Sequence, residues 1–214
     1  LYDGRRFVLI PLPSEKEESI AAYKGQTHLY ADNRNRLWVK DYQKIFCVQL
    51  TEGRLLEHPL DSLLHETGQI RNGLKGRDIQ DLFVDSRKQV WVLMGNTLLN
   101  TQDGCLISLR KEWGSLQDLD TDGQQVYAFM DSGIVATFLK GKLAYTASAY
   151  PALDAQRYRN TSLTVKTPDG QFYQIRTGRD ERSKTDASIF LHFDPESRKY
   201  TRIFACNYLL HTLN

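Results

Sequence analysis

No stretch of this sequence approaches the roughly twenty consecutive apolar residues of a membrane-spanning helix, and no basic segment leads into an apolar core near its start. The 214 residues are therefore expected to be soluble, whatever compartment they occupy. Charge of one sign is scarce too. With 28 Lys and Arg against 26 Asp and Glu, the net charge of +2 is too weak a field to argue for nucleic acid as a partner. Cysteine is limited to Cys47, Cys105 and Cys206, which form no close pair and sit in apolar runs, so buried free thiols are expected more than a disulfide. Recognisable catalytic motifs are missing: there is no G-x-S-x-G elbow, no H-E-x-x-H and no glycine-rich phosphate loop. The five histidines, His28, His58, His65, His192 and His211, are scattered at spacings that make no local metal site. Neither an enzyme nor a cofactor is expected from these absences.

What the sequence does contain is a repeated unit. The stretch 29–50, LYADNRNRLWVKDYQKIFCVQL, has an apolar run ending in Asp32, a turn, an apolar-Trp-Val triplet around Trp38, and a further apolar strand. The stretch 82–109 keeps that order with Asp85 and Trp91 at the same spacing. In 116–139 Tyr127 replaces Trp and Asp122 stands one residue closer, and in the copy from Ser162 Tyr173 takes the aromatic slot. The aromatic positions recur at intervals of roughly 40 to 50 residues, the period of a four-stranded propeller blade. Short strands bounded by Gly, Asp and Asn, with little helical periodicity, give an all-β meander. The fold class read from this pattern is a β-propeller with four complete four-stranded blades at about 27–60, 79–113, 116–147 and 160–205. Partial blades are expected at 1–13 and 207–214, so that the chain forms an open arc of a larger ring. Its uncovered ends would invite other blades of the parent protein or a homodimer.

In the first unit the expected strands are 27–31, 36–40, 44–50 and 54–59, with one helical turn at 62–66 in the long connection that follows. Trp38, Trp91, Tyr127 and Tyr173 lie mid-strand among apolar neighbours, where a large ring packs blade against blade. Function is instead sought on the long crossings between blades, 60–78 and 146–160. There Arg71, Arg77, Tyr150 and Tyr158 are the candidate ligand-binding residues, because loop Arg and aromatic side chains suit stacking and hydroxyl recognition of glycans.

The run Ile79-x-x-Leu82-x-x-Asp85 followed by Val90-Trp91-Val92, with its Gly-Asn hairpin, resembles the two-component regulator propeller repeat. The likeness extends from about Thr27 to Ala205 and is clearest in the first two copies. It departs from the family where Asn35 and Lys88 stand in place of the glycine before the apolar-Trp pair, and where the following Gly-Thr is missing. The resemblance implies a seven-bladed parent ring within the periplasmic sensor of a hybrid two-component histidine kinase and response regulator. It also implies a membrane-anchored parent that perceives an oligosaccharide or similar small ligand. No binding residue of the family maps onto this chain. A propeller lyase or hydrolase, and a scaffold module without a signalling role, stay open as alternatives.

Overall fold

The structure, a computed structural model, describes residues 9–10, 27–41, 44–68, 73–147, 158, 160–179 and 185–207. Its strands form four four-stranded antiparallel sheets, each a simple meander in chain order. The first holds β1 (Thr27–Ala31), β2 (Arg36–Asp41), β3 (Lys44–Gln49) and β4 (Arg54–Leu55). The second holds β5 (Asp81–Val84), β6 (Val90–Met94), β7 (Thr97–Asn100) and β8 (Leu106–Ser108). The third comprises β9 (Leu116–Thr121), β10 (Gln125–Met130), β11 (Val135–Leu139) and β12 (Lys142–Ala147). The fourth comprises β13 (Asn160–Lys166), β14 (Phe172–Arg179), β15 (Asp186–Asp194) and β16 (Lys199–Cys206). The fold is thus all-β and of β-propeller class, with four four-stranded blades. Apart from residues 9–10 and 207, the expected partial blades lie outside the described residues.

The chain divides into two compact units, with the boundary running through the second sheet. In the first unit, Trp38 is fully buried among Leu82, Val90, Val92 and Leu99, with Leu63 and Leu64 closing the cluster. The two leucines come from α1 (Pro59–Glu66), which is longer than the single turn expected from the sequence. Pro59 opens it, since its fixed φ suits a first helical turn. Leu60, Leu63 and Leu64 then fall on one face at helical spacing. For the same reason β4 stops at Leu55 and does not run on toward Pro59. Cys47 lies opposite Trp38 in the β2–β3 register, and burial pushes its thiol up to about 12, leaving it a small hydrophobe. Cys105 and Cys206 are only half-buried, and none of the three is in a disulfide.

In the second unit the core is aromatic. Tyr127 and Phe129 of β10 meet Phe172 of β14 at 4.9 and 5.4 Å between ring centroids, and Phe193 of β15 stands edge-on to Phe129 at 6.1 Å. Tilted and edge-on contacts of this kind place ring edges against ring faces, the favourable arrangement for aromatic quadrupoles.

Trp38, Trp91, Tyr127 and Tyr173 all lie in second strands, β2, β6, β10 and β14. The first three are buried, but Tyr173 is half-buried and Phe172 beside it enters the core. Neighbouring residues of a strand face opposite sides. Tyr173 accordingly stacks on His192 and Phe190, away from the aromatic core.

The Asp-to-aromatic spacing also has a physical basis. Asp32 accepts the Arg34 backbone N–H at 2.8 Å, Asp85 that of Arg87 at 2.9 Å and Asp122 that of Gln124 at 2.8 Å, the same two-residue side-chain turn in the first three blades. The other carboxylate oxygen then takes the ring donor: the Trp38 indole N–H reaches Asp32 at 2.8 Å, and the Tyr127 hydroxyl reaches Asp122 at 2.9 Å. The phenol carries its donor at the far end of the ring, so it makes the bond with one residue fewer between the partners.

Asn35 and Lys88, which stand where the resembling repeat has glycine, both have positive φ, at 55° and 61°. The left-handed turn is kept without the residue that adopts it at no steric cost. Lys88→Gly is therefore expected to stabilise the chain by about 1 kcal/mol, reduced somewhat by the added freedom of the unfolded chain. Asn35→Gly is expected to gain less, since Asn tolerates that region. Urea unfolding of the two variants beside the parent measures both; a loss of stability in Lys88→Gly contradicts the account.

Candidate ligand site

A polar cluster forms in the first unit where β1 begins and β2 ends. On β1 the two-residue alternation puts His28 and Tyr30 on one face, and the antiparallel register sets His28 opposite Lys40 and Tyr30 opposite Trp38. The two rings are stacked, with centroids 6.0 Å apart and planes 5° from parallel. Lys40 reaches across to β5, where its ammonium lies 2.5 Å from Asp81 Oδ1 and 4.7 Å from the centre of the Phe83 ring. Asp81 Oδ1 also accepts the Leu82 backbone N–H at 2.8 Å, which fixes the carboxylate. The Lys40 and Asp81 side chains keep 19% and 24% of their exposure, so the pair is reachable from solvent.

The His28 pKa is lowered below its ordinary value of 6.5, first by burial and then by the nearby Lys40 charge, with Asp81 opposing. At neutral pH the imidazole is uncharged and offers one donor and one acceptor nitrogen. β1 and β5 are the first strands, and edge strands, of two successive sheets, and the cluster lies where they approach. Among the described residues no group of three or more His, Cys, Asp or Glu side chains gathers to hold a metal ion.

Of the residues chosen from the sequence, Arg77 is exposed in a short 3-10 turn, Gly76–Asp78, just before β5. Arg71 and Tyr150 lie outside the described residues. Tyr158 corrects the expectation of an exposed loop aromatic: at 6% exposure its ring is packed into the second unit's core with Tyr127 and Phe172. A large apolar ring gains more from that packing than from standing in water. His28, Lys40 and Asp81 were not legible as a group. Only the strand alternation brings His28 beside Lys40, and Asp81 stands far along the chain in another sheet.

No protein-family model matches the chain, and no characterised protein matches it in sequence. Solved structures match it in fold. One is described as the extracellular domain of the hybrid two component system BT3049 from B. thetaiotaomicron, 12% identical, with a TM-score of 0.52 over 94% of this chain and 25% of that one. The chain thus spans a quarter of the length of that structure, and at this identity the likeness is one of fold. The corresponding domain of BT4673 from the same organism, 11% identical, covers 88% of this chain and 29% of its own with a TM-score of 0.39. An ancestral GH74 enzyme, 10% identical, covers 83% of this chain and 25% of its own with a TM-score of 0.46. At those two scores the likeness carries no argument.

Proposed function

We propose that this chain is part of the extracytoplasmic sensing region of a hybrid two-component regulator, held in a membrane-anchored parent protein, and that it perceives an oligosaccharide without transforming it. The observation that carries the reading is the propeller likeness to the BT3049 extracellular domain over 94% of the chain. The Asp-turn-aromatic unit, made in three blades by the same side-chain turn, agrees with the repeat that the sequence resembles. Signalling in such a protein is a bias between two conformations, so the ligand must bind one of them better than the other. The test is a glycan array probed with the purified chain, followed by calorimetric titration and reducing-end analysis of each bound glycan. Binding with the glycan left intact is expected. Cleavage of a bound glycan would replace the sensor by an enzyme, and an absence of saccharide binding would remove the carbohydrate cue.

A further inference from the structure

We infer that the cluster of His28, Lys40 and Asp81, on the first two sheets, is a binding site for an uncharged saccharide. The inference rests on the sensing reading above and narrows it to named residues and one ligand class. Both bonds to the Asp81 carboxylate end on Oδ1, so Oδ2 keeps its acceptor capacity. The Lys40 ammonium has three N–H donors, of which Asp81 takes one. Among the described residues neither ring nitrogen of His28 makes a hydrogen bond, so the imidazole adds a donor and an acceptor. Hydroxyl groups both donate and accept, and a cluster offering both kinds of partner side by side matches vicinal hydroxyls. The half-buried Tyr30 ring, stacked beside His28, adds an apolar surface suited to the C–H face of a sugar.

Charge decides between ligand classes. The one cation of the cluster is already neutralised by Asp81 at 2.5 Å, and His28 is uncharged at neutral pH. A uronate or sulfated sugar would bring a second anion to a site whose cation is taken, and like charges at such range repel strongly. A neutral sugar meets no such cost.

The test titrates the whole chain with cellotetraose, xylotetraose and mannotetraose as neutral probes and with tetragalacturonate as the acidic one. At least one neutral probe is expected to bind about tenfold more tightly than tetragalacturonate, a difference of about 1.4 kcal/mol. Asp81→Asn leaves the Lys40 charge uncompensated and is expected to reverse that preference. His28→Leu leaves the ion pair in place and removes both ring nitrogens, and is expected to weaken the neutral probe about tenfold. It keeps the inference testable should Asp81→Asn fail to fold. Neutral binding that ignores both substitutions removes the site and leaves the sensing reading standing. Preference of the parent chain for tetragalacturonate overturns the ligand class. Failure of all four probes counts against the carbohydrate cue itself, and the site falls with it.

Discussion

Asp32→Ala is expected to lower the folding free energy by about 3–5 kcal/mol, the cost of removing one partner from a buried ion pair. The Asp32 side chain is fully buried and its carboxylate makes four bonds. The Arg36 Nε donates at 2.6 Å and the Trp38 indole at 2.8 Å, while the backbone N–H groups of Arg34 and Arg36 donate at 2.8 and 3.0 Å. Without the carboxylate, the Arg36 guanidinium, 5% exposed, keeps Glu66 at the rim as its counter-ion, and the indole N–H is left buried without an acceptor. Asp32→Asn retains an acceptor oxygen and loses the charge, so an intermediate loss of about 1–3 kcal/mol is expected. Denaturant unfolding followed by tryptophan fluorescence reads both. A loss below about 1 kcal/mol for the alanine variant would mean that the pair's desolvation nearly cancels its attraction.

The second large effect is expected at Phe172. Its ring is 1% exposed and meets Tyr127, Phe129 and Phe193 at 4.9, 5.4 and 6.4 Å. Phe172→Ala leaves a cavity bounded by ring faces that collapse poorly, for about 3–5 kcal/mol. Tyr173→Ala, one residue on, removes a half-buried ring from the opposite side of the strand and is expected to cost no more than about 1 kcal/mol. The ratio of the two losses is the informative quantity. Equal losses would place both rings in the core and contradict the alternation.

That contrast marks how far the sequence was legible. Strand positions followed from turn chemistry: β1 occupies the expected 27–31, and the Asp-Gly and Lys-Gly pairs turn at Gly123 and at Lys140 with Gly141, all with positive φ. Second-strand placement of the four aromatics followed from spacing. Which neighbour of a Phe-Tyr pair faces inward did not, because either ring satisfies an apolar slot and only the facing sheet decides. Arg176 shows the same limit. A basic residue is ordinarily expected at the surface, yet Arg176, in the middle of β14, is fully buried and donates to the Asp131 carbonyl, its pKa lowered by burial. The site was least legible of all. Its three side chains converge across two sheets, and cross-sheet convergence leaves no local spacing to find.

The outer strands differ in length in a way that bears on how the chain behaves at high concentration. β4 and β8 have two and three residues, too few backbone groups to template an added strand. β12 has six and β16 eight; among the described residues β16 pairs only with β15, and it exposes Ile203 and Phe204. A strand of that length with apolar side chains in solvent has the attributes of a nucleus for intermolecular β-addition. Colloidal stability should therefore depend most on this longest outer edge among the described residues, and a single lysine at position 203 is a small change that would blunt it.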